Sequence, residues 1–544
     1  MKSRYRSVSV LIVLLTVLAL TLTACGGGST PESTQLSPTQ ESSAVLPAET
    51  SLPETATEQP APTSEQPTVI PEGALRVAMQ SLVQTDPALI SSDTEVLVAS
   101  HVYDYLVDVD PQNNIIPRLA EKWTISDDGL TYIFDLHTEV TFHDGSRLTA
   151  EDVVWTFNRL RDPSKDYPTK DLYSKIANIE ATGDLQVTFT LTQTNPFFLY
   201  DLSDNHALIL QADTSDPTQI NGTGPFTVDS YSPEDRITLK ANPNYFMEGQ
   251  PRLANIEVIF FADDTAMVDA LRGGQVDLAM RIPTPLYQSL QGEAGINPIS
   301  IPTNAFDLVR LRTDREPGND PRVIQAFKLA TDRESAFQLV EQGLGAIGRD
   351  SPVGPLYTAY YSEDTPIPER DIEKAKQLLA DAGYPNGLTI DLHTSDTGNR
   401  QDLAAVLKEQ WAEAGINVNI VVEPESVYFG DNGWLEVDLG ITNWGSRPYP
   451  QFYLDVMLVC SAVWNESRFC DAEFDEQARL AGTTLNEDER IQAYHEIQRI
   501  LIERGPIIIT SFWPLNTAIH DQFEGFTPKA FAGRTDLREI RLVK

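Results

Sequence analysis

Residues 388–422, LTIDLHTSDTGNRQDLAAVLKEQWAEAGINVNIVV, hold the pattern that decides the fold. Leu388 to His393 alternates apolar and polar side chains, the period of a strand. Asp402 to Ala414 reads as a helix stopped by Gly415, and Ile416 to Val422 as a second strand. That β-α-β order predicts a parallel pair joined by a right-handed crossover. Just downstream, Val437 to Thr442 is a candidate third strand, which leads into Asn443-Trp444-Gly445-Ser446-Arg447-Pro448-Tyr449-Pro450. Open α/β sheets bind ligands outside the carboxyl ends of their strands. An aromatic ring beside a guanidinium suits a small molecule; the competing reading is an ordinary loop with a packed Trp and a solvated Arg.

The same grammar extends upstream. Pro321 stands at N1 of a helix carrying Val323, Ile324, Phe327 and Ala330 at helical spacing, and Asp332 can cap the next helix. Glu369 to Ala382 is helical, with Gly383 as its stop. Asp488 to Arg504 is a last long helix, and Ile507 to Trp513 a buried strand. Before Pro302 the pattern differs. Ala74 to Gln80 is a first strand, Ser91 to Leu106 a helix, and Thr131 to His137 a half-buried strand. Val140 to Gly145 reads as a short strand and turn. Thr149 caps a helix with Asp152 as capping-box partner; Val187, Phe189 and Leu191 mark another strand. Ile237 to Lys240 and Ile256 to Phe261 are strands, and Thr265 to Leu271 a helix. The fold class is therefore mixed α/β.

At 544 residues the chain exceeds one hydrophobic core. Its formal charge of −39 excludes nucleic acid as a partner, since phosphate neutralisation needs a basic surface. The N-terminus is an address: Lys2, Arg4 and Arg6 precede an apolar run from Val8 to Leu22. Leu22-Thr23-Ala24-Cys25 is similar to a bacterial lipobox, in which Cys25 is diacylated and heads the mature chain. Residues 1–25 are thus expected to be a lipoprotein signal. Residues 26–73, dominated by Ser, Thr, Pro, Glu and Gln, read as a tether without a core. Cys460 and Cys470 are then the two cysteines left. A disulfide is expected between them; a metal site competes, but zinc needs four ligands and no His lies nearby in sequence.

No chemistry-bearing motif points to an enzyme. The seven His residues are scattered without H-E-x-x-H spacing, although His393 lies near a strand end where a ligand could sit. There is no G-x-S-x-G elbow. Asn221-Gly222-Thr223-Gly224-Pro225-Phe226 is not a phosphate loop, because no G-K-[ST] follows. No cofactor and no metal is expected.

Several motifs in order then resemble one family. They are IIPRLAEKW at 115–123, DDGLTYIFDLHTEVTFHDGSRLTAEDVVWTF at 127–157, GTGPF at 222–226 and LKANPNYF at 239–246. GGQVDL at 273–278 and NDPRVIQAFKLATDRE at 319–334 complete the set. Together they resemble the family 5 extracellular solute-binding proteins of peptide, oligopeptide and nickel ABC transporters. The resemblance implies a periplasmic-binding-protein-like fold of two large lobes around a hinged cleft, plus a smaller inserted lobe. Lobe I would comprise 74–107, 221–303 and 512–544, lobe II 108–220, and lobe III 304–511. It implies a monomer on the outer face of the cytoplasmic membrane, periplasmic or extracellular, held by its lipid anchor. Such a protein captures a peptide or small solute and hands it to the ABC permease subunits.

In peptide-binding relatives the loop after the third strand reads W-x-x-D, and its Asp receives the peptide α-ammonium. Here Trp444 is kept and Arg447 stands at the Asp position. A guanidinium repels an ammonium and holds a carboxylate or phosphate bidentately. An anionic solute, or one whose hydroxyls accept from Arg447, is therefore expected, unless a nearby carboxylate engages Arg447. Trp444, Arg447 and Tyr449 are the first candidates for ligand contact, with Asn443 and Tyr428 behind them. A glycan-active lipoprotein hydrolase with paired carboxylates is one alternative; a solute receptor for signalling is the other.

Overall fold

The computed structural model describes residues 70–543 except 166, 368, 431 and 432. These lie in one compact unit, Glu65–Lys544; the candidate signal and Cys25 lie outside the described residues. Strands Leu388–Ser395 and Ile416–Glu423 pair in parallel, from Leu388 opposite Ile416 to Ser395 opposite Glu423. Helix Arg400–Ala412 runs between them in sequence. The third strand is Leu439–Trp444, parallel to Leu388–Ser395 on its other side. It starts and ends two residues later than the hydrophobic run indicates. The Val437 carbonyl is taken by Arg310 Nη1 at 2.9 Å, whereas pairing of Phe306 with Trp444 draws the far end into the ladder.

These strands form one end of a twelve-stranded mixed sheet. Beyond Leu439–Trp444 follow Ile296–Leu311, Ser511–His520, Leu278–Ala279 and Ala74–Met79, then Asn255–Phe260, Arg236–Ala241 and Phe226–Ser232. Ile296–Leu311 and Ser511–His520 pass through both ends of the sheet and tie them together. Their antiparallel register runs from Ile296–His520 to Pro302–Pro514 and resumes at Phe306–Phe512. Four steps on one strand thus match two on the other, a bulge that bends the ladder.

The sequence pattern missed how far these two strands extend, because Pro298, Pro302 and Pro514 argue against a central strand. At the bulge Pro302 faces Pro514, where neither needs to donate. The run Ile507 to Trp513 is also split, into Ile507–Ile508 and the start of Ser511–His520. Between them Ile509 N donates to Asp350 Oδ1 at 3.2 Å and the Thr510 carbonyl accepts from Gly348.

A second, four-stranded sheet has the order Ala120–Ile125, Thr131–Leu136, Gln186–Leu191, Ile176–Gly183. Helix Ala150–Leu160 packs on it through Phe157, edge-on to Phe189 at 5.2 Å. Its start is closed by Thr149 N donating to Asp152 Oδ2 at 2.7 Å. Val140 to Gly145 forms no strand. A lone bridge joins Thr141 to Arg147, and the Asp144 carboxylate accepts from Ser146 N instead, closing a turn.

Candidate functional site

The site is built around the carboxyl end of Leu439–Trp444. Trp444 is almost wholly buried, and its Nε1 donates to Glu466 Oε1 at 3.3 Å. Glu466 also accepts from Thr442 Oγ1 at 2.7 Å and pairs with Arg310 Nε at 3.0 Å. Both members of that ion pair are fully buried, and Arg310 spends its other donors on the carbonyls of Val437 and Trp434. Burial pushes the Glu466 carboxyl up, against the pull of Arg310. The strand end is therefore braced from one side. The bracing loop is closed by the Cys460–Cys470 disulfide, Cα to Cα 4.4 Å, and also carries Trp464, whose ring lies 6.1 Å from that of Trp444.

Tyr428 is not brought together with the other candidates. It is fully buried beneath the sheet, with its hydroxyl on the His393 carbonyl at 3.3 Å. Gly440 makes room for it: a Cβ there would lie 2.8 Å from the Tyr428 hydroxyl and 3.0 Å from Arg310 Nη2. Tyr428 thus supports the strand from below. His393 is engaged by Glu423 at 3.2 Å. Asn443 is exposed, and its cross-strand partner is Asp307.

Past Trp444 the chain turns into a wall. Asn304 N donates to Ser446 Oγ at 3.1 Å, and Tyr357 donates its hydroxyl to the Arg447 carbonyl at 2.7 Å. The Arg447 guanidinium lies 4.4 Å above the Phe452 ring. Its Nε is buried without a hydrogen-bond partner, and the side chain enters no ion pair among the described residues. Tyr449 stacks on Phe197 at 4.8 Å with an interplanar angle of 11°, and donates its hydroxyl to Asp201.

Arg447, Tyr449, Phe452 and Asp201 line a cavity of about 30 Å³, bounded also by Asp204, Phe531 and Arg534. That volume holds a water molecule or two. Its charges are individually anchored. Burial pushes the Asp201 carboxyl up to about 7, against the hydrogen bond from Tyr449. Burial also works on Asp204, but His206 at 2.7 Å outweighs it and holds the carboxyl down at about 2. Arg534 is paired with Asp108. Arg447 enters no ion pair among the described residues, but its charge also helps hold down the Asp204 carboxyl on the same wall. Sequence reasoning missed Asp201, Asp204, Arg534 and Glu466. Each meets the Trp444 region through tertiary folding, and no local motif announces it.

Comparisons with known proteins agree with this architecture. The model of the bacterial extracellular solute-binding proteins, family 5 (Middle), matches residues 114–465. Probable di/tripeptide-binding protein 5 of Pseudomonas aeruginosa is 29% identical over 511 residues, covering 86% of this chain and 93% of that one. Heme-binding protein A of Haemophilus influenzae is 30% identical over 468 residues, covering 78% of this chain and 84% of that one. The oligopeptide-binding protein AppA from Bacillus subtilis, solved with a nonapeptide, shares the fold at a TM-score of 0.74 and 23% identity. That match covers 87% of this chain and all of AppA. Among the described residues no helix is long and apolar enough to cross a membrane. The chain belongs to the bacterial extracellular solute-binding proteins of family 5, extracytoplasmic components of peptide-type ABC importers that bind a solute without converting it.

Proposed function

We propose that this protein captures a small peptide or peptide-like solute with its anionic group held by Arg447, and presents it to an ABC permease. The observation that carries the reading is the Arg447 guanidinium: it lines a cavity with Tyr449, its Nε has no hydrogen-bond partner, and among the described residues it enters no ion pair, its influence on Asp204 being through space. A planar guanidinium recognises a carboxylate through two parallel hydrogen bonds. The relatives named for di/tripeptides and for heme carry solutes of very different shape, yet both chemistries include carboxylates.

In this reading lobe I (74–107, 221–303, 512–544) and lobe III (304–511) close over the solute about the paired strands Ile296–Leu311 and Ser511–His520. Lobe II (108–220) supplies Asp201 and Asp204. The protein acts as a monomer, tethered through a diacylated Cys25 and residues 26–73 to the outer face of the membrane. The test is a thermal-shift screen of residues 65–544 against peptides, peptide amides, oligosaccharides and metal chelates, repeated with Arg447→Asp. A solute at a hundred times its Kd stabilises by about 2.7 kcal/mol. Carboxylate-bearing solutes are expected to raise the melting point of the wild type and not of Arg447→Asp. Equal shifts in both proteins would refute the role of Arg447.

A further inference from the structure

The chain enters segment 304–511 along Ile296–Leu311 and leaves it along Ser511–His520, two paired strands with a bulge between Pro302 and Phe306. A further join is made by side chains. The four-stranded sheet shares no ladder with the twelve-stranded one, yet residues 113–201 meet residues 360–494 across a patch of contacts. Thr194 Oγ1 donates to the Thr483 carbonyl at 2.6 Å, and Asn113 Nδ2 to the Pro448 carbonyl. Lys175 Nζ lies 3.6 Å from Asp455. Phe197 is the apolar anchor: it stacks on Tyr449 and meets Tyr360 and Tyr494 edge-on at 6.0 and 6.4 Å.

Beside this anchor lies a carboxyl that opposes the join. Asp201 is 3% exposed, and its oxygens accept from the Tyr449 hydroxyl, across the join, and from Asn195 Nδ2 at 2.6 Å, on its own side. No cation pairs with it among the described residues. Lys175 favours its ionised form and Asp204 disfavours it; Asp204 is itself held ionised by His206. The phenols of Tyr132 and Tyr173 border it from within its own module, Tyr173 donating to the Asp201 carbonyl at 3.1 Å. Arg447 and Arg534 line the same cavity, Arg534 being spent on Asp108. If the join parts, Tyr449 leaves and water reaches the carboxyl.

We propose that the Phe197–Tyr449 join is a proton-coupled latch, shut while Asp201 carries a proton and released when Asp201 ionises. A neutral carboxyl sits against the Tyr449 phenol without a buried charge, whereas an ionised one must stay desolvated to keep the latch shut. In the shut form burial pushes Asp201 up to about 7, against the Tyr449 hydrogen bond and Lys175; a carboxyl in water lies near about 3.9. The open-to-shut ratio therefore rises by up to about tenfold per pH unit between about 4 and about 7, and levels off above. Acid shuts the latch and neutral pH frees it. The cavity of about 30 Å³ behind it holds only water, so a solute enters while the latch is open. The latch is a property of the solute-free chain and does not depend on the Arg447 reading.

The experiment is a spin-label distance measurement by double electron–electron resonance on the full chain without solute, from about pH 5 to about pH 9. Gln193→Cys and Asp488→Cys place labels at exposed positions on either side of the Thr194–Thr483 contact. Cys25→Ser removes the other thiol, and Cys460 and Cys470 are tied in their disulfide. One short distance is expected near pH 5. A second population, longer by more than about 2 Å, grows until about pH 7 and is level above it. In Asp201→Asn, uncharged throughout, the distribution does not change with pH. In Phe197→Ala, which removes the anchor and keeps Asp201, the long distance dominates already near pH 5. A distribution that is constant with pH when Asp201 is present, a pH change that persists in Asp201→Asn, or a short distance kept in Phe197→Ala overturns the proposal. The first of these outcomes is read without any change in the latch, so a variant that fails to fold leaves the test standing.

Discussion

Replacing Glu466 with Gln tests whether the Trp444 edge is held by a buried charge pair. Glu466 and Arg310 are 1% and 0% exposed. Breaking a buried pair by removing one partner costs about 3–5 kcal/mol, because the other charge is left without its counter-ion. Arg310 keeps its bonds to the carbonyls of Val437 and Trp434, which places the cost near the lower figure, about 3 kcal/mol. The Gln amide oxygen can still accept from Thr442 or Trp444, so the loss is of charge more than of hydrogen bonds. By thermal unfolding followed through tryptophan fluorescence, that loss lowers the midpoint by about 3 °C if residues 65–544 melt as one unit. It lowers it by about 6 °C or more if the Trp444 end of the sheet melts alone. The control is Glu503→Gln, which breaks a half-exposed contact to Arg499 and should move the midpoint by less than about 1 °C. A Glu466→Gln midpoint within 1 °C of wild type would refute the bracing role.

Three further outcomes are expected. Replacing both Cys460 and Cys470 with Ser opens a loop of sequence separation 10, which costs about 3 kcal/mol in the chain-entropy description; urea midpoints with and without reductant should differ for the wild type and coincide for the variant. In Gly222→Ala the new Cβ would lie 2.0 Å from the Val102 carbonyl oxygen, and the forced backbone shift should cost about 3 kcal/mol, seen as reduced soluble yield and a lower melting point. Burial lowers His101 to about 4, and its Nε2 accepts from Leu537 N at 2.9 Å. The unfolded chain therefore takes up a proton below about pH 6.5 that the folded chain refuses until about pH 4, and each pH unit of that window costs about 1.4 kcal/mol. Because Asp201, Glu341 and Asp307 shift the other way, the measurable quantity is the stability of wild type minus His101→Gln, which should fall from pH 6.5 to 4 and stay level above 6.5.

Elements with local periodicity were legible in the sequence. Leu388 to His393 and Ile416 to Val422 alternate as half-buried strands do, and the Gly415 stop fixed the end of the helix between them. Thr149 with Asp152 announces a helix start through short-range hydrogen bonding, and Pro321 announces another because its fixed φ and missing N–H suit N1. The two strands that run through the whole sheet were not legible in full, because Pro298, Pro302 and Pro514 interrupt the pattern and are tolerated only at this register. At the site, Trp444 and Arg447 were readable because they sit three residues apart in one loop. Tyr428 was misleading, since an aromatic near a predicted strand end looks the same in sequence whether it faces a cleft or props a glycine. Asp201, Glu466 and Asp307 carry no local signal. Tyr449 meets Asp201 across 248 residues, and only the folded sheet brings Asp307 beside Asn443.

The most direct test of the Arg447 assignment is a paired titration of one solute, trialanine against trialanine amide, with wild type and Arg447→Met. In the wild type the carboxylate form should bind at least tenfold tighter than the amide, and in Arg447→Met the two should bind alike. Equal affinity for both forms in the wild type, or a carboxylate preference that survives in Arg447→Met, would contradict an anion-binding Arg447.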